Sequence, residues 1–65
     1  MKKLLINCRF THYPKGISNL KENYALIIEI NTEDNIENKI YLKLKEINYN
    51  LIDITDLKSF TAQIM

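Results

Sequence analysis

Sixty-five residues allow one domain, and a chain this short buries only about 60% of the surface that its unfolded form exposes. An apolar share of 46%, a charged share of 26% and a net charge of +1 argue against disorder, and equally against the basic excess of a dedicated nucleic-acid binder. One cysteine excludes an internal disulfide, and Cys8 with His12 supplies at most two of the four ligands of a structural zinc site, so no cofactor or metal is expected.

Met1-Lys2-Lys3 followed by Leu4-Leu5-Ile6 resembles the start of a secretion signal, but the apolar run stops at Asn7 and no small-residue cleavage site follows. No segment approaches the roughly 18 apolar residues that span a bilayer. The expectation is a cytoplasmic protein with a reduced thiol and no membrane partner.

The first predicted strand carries Leu4, Ile6, Cys8 and Phe10 on one face and Lys3, Asn7 and Arg9 on the other, which is the period-2 signature of a half-buried strand. The window that follows is chemically unusual. Cys8 to Gly16 holds the only Cys, Arg, His, Pro and Gly of the chain. Pro14 fixes its own φ and Gly16 tolerates positive φ, so Tyr13-Pro14-Lys15-Gly16 is predicted to turn with Gly in its last position. A turn accounts for Pro14 and Gly16 but leaves Arg9, His12, Tyr13 and Lys15 unexplained. Arg and Tyr are enriched at binding hot spots, and loops on rigid strands are where binding residues gather.

A second strand is read at Tyr24, Leu26, Ile28 and Ile30, with Ala25 and Ile27 making it apolar on both faces, as a central strand would be. Thr32-Glu33-Asp34-Asn35 would then close a hairpin to a third strand. In that strand Ile40, Leu42 and Leu44 face inward, and Lys39, Tyr41, Lys43 and Lys45 face outward. Asn48-Tyr49-Asn50 reads as a tight turn, because Asn tolerates left-handed backbone angles. Leu51, Ile52 and Ile54 make a short fourth strand. Phe60, Ala62 and Ile64 alternate with Ser59, Thr61 and Gln63 in a fifth. The competing reading caps a helix at Thr55 or Asp56, with Leu57, Phe60 and Ile64 on one face.

The expected fold is therefore all-β: one domain over residues 1–65, built as a small antiparallel sheet or barrel of four to five strands. Its element lengths are similar to those of an SH3-like barrel, a likeness that carries no function. The alternative is α+β, an antiparallel sheet with a C-terminal helix at about 56–64.

Charge is segmented along the chain. Residues 1–21 carry five cations and no acid, and residues 22–37 carry five acids and no cation. Pairing across antiparallel strands explains this at about 0.2–1 kcal/mol per pair; a bipolar surface facing a partner is the alternative. Ile, Asn and Lys number 11, 8 and 8, a bias towards AT-rich codons that points to a low-GC bacterium or a phage or mobile element living in one.

No catalytic residue is expected. Cys8 lies on the apolar strand face, where a free Cys behaves as a buried hydrophobe, and nothing orients His12 as its base. Glu33 and Asp34 sit in a turn with no apolar enclosure to raise either pKa. The expected function is a non-enzymatic protein-binding module contacting its partner through Arg9, His12, Tyr13 and Lys15. More specifically, it would be a phage or mobile-element accessory protein that binds and inhibits or redirects a host macromolecular enzyme such as a defence nuclease. The alternative is nucleic-acid binding by the Lys39, Tyr41, Lys43 and Lys45 strand face, where cations interleave with an aromatic. A second alternative is a structural subunit of a homodimer or larger assembly. It draws on the apolar residues left over after one face is filled: Leu5, Ile27, Tyr41, Ile47, Leu51 and Leu57.

Overall fold

The computed structural model describes residues 2–65; Met1, the first residue of the signal-like stretch, lies outside them. The chain runs β1 (Lys2–His12), β2 (Leu20–Ile30), α1 (Ile36–Glu46), one 3-10 turn (Ile54–Asp56) and β3 (Leu57–Ile64). The three strands form one antiparallel sheet in the order β2-β1-β3. Two eleven-residue strands reach about 36 Å, which accounts for the 39 Å long axis.

β1 is the centre of the sheet, and its alternation is as the sequence predicts: Leu4, Ile6, Cys8 and Phe10 are buried, whereas Lys3, Asn7 and Arg9 are exposed. Leu26 and Ile28 of β2 join the same face, and α1 covers it with Ile40 and Leu44. Phe10, Ile6, Ile40 and Leu44 are completely buried and form the heart of the core. β2, read from its two apolar faces as a central strand, is instead an edge, and Ile27 on its outer face is 51% exposed.

The expected third strand is a helix. Asn35 caps it by accepting a 3.1 Å hydrogen bond from the Asn38 N–H, Glu37 lies in the first turn, and Lys43 and Lys45 lie in the last, as the helix dipole favours. Its C-terminus closes in a Schellman motif: Asn48 takes a positive φ of 76°, its N–H reaches the Lys45 carbonyl, and the Tyr49 N–H reaches the Leu44 carbonyl. The left-handed tolerance of Asn48 is thus used, but to end a helix instead of joining two strands. Thr32–Asn35 correspondingly links a strand to a helix, where Asp34 accepts from the Asn31 N–H at 2.7 Å.

The expected fourth strand is absent: Leu51 is buried in the core, Ile52 is exposed, and Ile54 opens the 3-10 turn. The C-terminal segment is a strand, as favoured, and the alternative helix at 56–64 does not form. The described residues form a small β-rich, antiparallel α+β structure with one α-helix. It is not a barrel of four to five strands, because the residues assigned to strands three and four form α1 and a capped turn. No helix among the described residues is long and apolar enough to cross a membrane.

Candidate functional site: the open sheet face and the first loop

With α1 on one side, the other side of the sheet has no covering layer among the described residues. Asn7 and Arg9 of β1 stand on it. Register places Asn23 of β2 and Ser59 of β3 directly opposite Arg9, with Ala25 and Thr61 opposite Asn7. These six residues are all exposed and line an open depression of about 520 Å³. Arg9 is flanked by short side chains and forms no ion pair with any described residue. Its guanidinium therefore keeps its planar fork of donors free for a carboxylate or phosphate. A bulge after Arg9, where Phe10 pairs with Leu57 and Lys58 is skipped, bends β3 beside this position.

His12 lies on the opposite, helix-covered side. Its ring stacks edge-on against Tyr49 at 5.3 Å and lies 6.0 Å from Phe10, in a cluster that Tyr24 extends through Tyr49. Its Nε2 is 2.7 Å from Glu22 Oε2, a close polar contact without an aligned hydrogen bond. Burial, the nearby Glu22 carboxylate, and the neighbouring Tyr24 and Cys8 push the Tyr49 hydroxyl above its ordinary pKa.

Tyr13 is committed to the fold. Its N–H donates to the Asn50 carbonyl at 3.0 Å, its carbonyl accepts from Asn50 Nδ2 at 3.2 Å, and its hydroxyl donates to Asp56 Oδ1 at 3.0 Å. The hydrogen bond to Asp56, with burial and the Asp56 charge, raises the Tyr13 pKa. Lys15 is exposed in the turn, which runs one residue later than expected: Pro14 O accepts from the Ile17 N–H at 3.0 Å, with Gly16 third at φ 86°.

The four loop residues thus do not converge. Arg9 and His12 occupy opposite faces of β1, Tyr13 is tied down, and Lys15 stands alone at the turn. The residues that do surround Arg9, namely Asn7, Asn23, Ser59 and Thr61, escape a reading of the loop. Asn7 is legible as its neighbour on the strand face, but the other three need the strand register.

The proposed Lys39, Tyr41, Lys43 and Lys45 face dissolves once the segment is helical. Lys39 and Lys43 lie one turn apart along β2, whereas Tyr41 and Lys45 form a separate pair, with Lys45 Nζ 5.3 Å from the Tyr41 ring. The Tyr41 hydroxyl is also used, donating to the Ile52 carbonyl at 3.1 Å. Of the leftover apolar residues, Leu51 is buried and Leu5, Tyr41, Ile47 and Leu57 are half-buried, so they form no common exposed patch with Ile27.

Compared with protein-family models, curated proteins and solved structures, the chain matches none.

Proposed function

We propose that this chain is a non-enzymatic protein-binding module whose partner rests on the uncovered sheet face around Arg9. The observation that supports this is Arg9, without an ion pair among the described residues, at the centre of a broad, shallow depression on the central strand. Such a surface is too open to enclose a small substrate, and the rings of the two aromatic residues beside it, Tyr24 and Phe60, are engaged on the helix-covered side, against Tyr49 and the core, where a base on this face would not stack. It suits a protein surface that brings an acidic group to Arg9 and packs against the short side chains of Asn23, Ser59 and Thr61. Lys15 adds a second cation in the turn, Tyr13 acts by holding the loop in place, and His12 packs against Tyr49 on the other side of the sheet.

A host macromolecular enzyme remains the proposed class of partner, resting on the AT-rich composition and small size of the chain, with a cytoplasmic location to match. The test is a tagged pull-down from a low-GC bacterial lysate with and without nuclease, repeated with Arg9→Ala. A stoichiometric protein that survives nuclease and weakens on the order of 30-fold with Arg9→Ala, at unchanged circular dichroism, supports the reading, since hot-spot truncations cost about 2 kcal/mol or more. Capture that disappears with nuclease transfers the function to nucleic acid. Capture indifferent to Arg9→Ala removes this face.

A further inference from the structure

β2 is an edge strand with unusually little protection. Natural edges are blunted by Pro, bulges, shortness or central charges. β2 has none of these: it pairs with β1 through eleven uninterrupted partners, contains no Pro, and carries no charge from Asn23 to Ile28. Among the described residues, no loop or cap supplies a backbone hydrogen bond to its outward side. Its opposite number β3 is shorter, carries the bulge and has Lys58 near its start.

The charges β2 does carry lie symmetrically. Lys21 and Glu29 are each four residues from Ala25, and both project from the uncovered side of the sheet, opposite Thr11 and Lys3. Two identical antiparallel strands related by a two-fold axis can pair only residues of equal parity. Among such registers, only the one centred on Ala25 sets Lys21 against Glu29 of the other copy. It does so twice. Glu29 already lies 4.0 Å from Lys3, so each carboxylate would sit between two ammonium groups in one row across the joined sheet.

The helix-covered side agrees with the same register. It places Glu22 of the second copy opposite Ile28, and Ile28 lines a groove of about 540 Å³ with Leu42, Lys39 and Lys43. Lys43 has no ion-pair partner among the described residues. Tyr24 meets Leu26 of the second copy, and Leu20 meets Ile30, both pairs apolar.

We infer that two copies of this chain join through their β2 edges, antiparallel about Ala25, into a continuous six-stranded sheet with both helices on one side. The inference is independent of the partner reading, and it would place two Arg9 side chains on one continuous uncovered face. Small domains commonly gain the stability that a thin core lacks through such association.

The test is sedimentation velocity of the full chain across a concentration series, with circular dichroism to verify folding. The expected species is a dimer. Lys21→Glu sets like charges against each other at both ends and should weaken the dimer on the order of tenfold, and Lys21→Glu with Glu29→Lys should restore it. Ala25→Cys should form an intermolecular disulfide on mild oxidation, because self-opposed residues lie about 4.5–5.5 Å apart between Cα atoms. A monomer at several hundred micromolar overturns the inference. So does a dimer that Ala25→Cys fails to cross-link, or one that the two charge variants leave unchanged.

Discussion

The Tyr13 hydroxyl donates a 3.0 Å hydrogen bond to Asp56 Oδ1 across 43 residues of sequence, joining the loop after β1 to the turn before β3. The other Asp56 oxygen accepts from the Ile52 and Asp53 N–H groups at 2.8 and 3.0 Å. One buried carboxylate thus organises the approach to β3 and anchors the loop that carries Lys15. Tyr13→Phe removes one donor to a charged acceptor and should cost about 1.5–3 kcal/mol. Asp56→Ala leaves two backbone donors and a hydroxyl without their acceptor and should cost more. Urea unfolding of both variants checks the order; equal losses would show that the backbone donors find other partners.

Asp56 also gives the fold an acid limit. Burial alone would raise its pKa, but the backbone N–H groups of Asp53 and Ile52, the Tyr13 hydroxyl and the charge of Lys58 together hold it below its ordinary value. A carboxylate with a depressed folded-state pKa stabilises the fold above its unfolded pKa of about 3.9, and that contribution fades as pH falls through the lower folded-state value. The Tm of the wild-type protein should therefore drop below about pH 4. The gap between wild type and Asp56→Asn should narrow over the same range, as measured by thermal melts from pH 2 to 7.

Gly16 isolates a backbone effect. Its φ is 86°, yet a Cβ there would meet nothing within 4 Å, so Gly16→Ala changes conformation without a clash. The expected loss is about 1–2 kcal/mol from left-handed strain alone. Denaturant midpoints measure it, and Gly16→Asn, which tolerates such angles better, should recover part of it.

Cys8 reports on opening of the core. It is buried, it donates weakly to the Tyr24 carbonyl at 3.5 Å, and burial pushes its thiol pKa up. Both effects suppress the reactive thiolate. Alkylation at pH 8 should run at least on the order of a hundredfold slower in the folded protein than in urea, and should accelerate in step with destabilising substitutions. Rapid labelling of the folded protein would mean that β1 is not packed as described.

β1, the β1–β2 hairpin loop and β3 were legible in the sequence because one period explains them: alternate residues are apolar, and Pro14 and Gly16 mark the loop. Residues 36–47 obey two periods at once. Ile40 and Leu44 belong to a strand face and equally to a helical face with Ile36 and Ile47, and the alternating lysines complete the strand disguise. The deciding signals were short-range ones, namely Asn35 as a cap, Glu37 in the first turn and Asn48 as a left-handed stop. The surroundings of Arg9 were not legible, because Asn23 and Ser59 reach it only through register with two strands far away in sequence. Asp56 offered only the signal of a possible cap, with Thr55, for a helix that does not form, and nothing marked it as a buried acceptor.

Leu42 is the residue on which the two periods disagree, since a strand points it inward with Ile40 and Leu44 while the helix leaves it 60% exposed. Leu44, fully buried one half-turn away, is inward in both. Leu42→Gln should change stability by no more than about 0.5 kcal/mol at low protein concentration, where association contributes nothing. Leu44→Ala should cost about 2–5 kcal/mol, enough to unfold much of the population of so small a molecule. Urea titrations followed at 222 nm measure both. Comparable losses at the two positions would restore the strand, and with it the alternating Lys39, Tyr41, Lys43 and Lys45 face; a loss confined to Leu44 keeps the helix and leaves the uncovered sheet around Arg9 as the proposed binding surface.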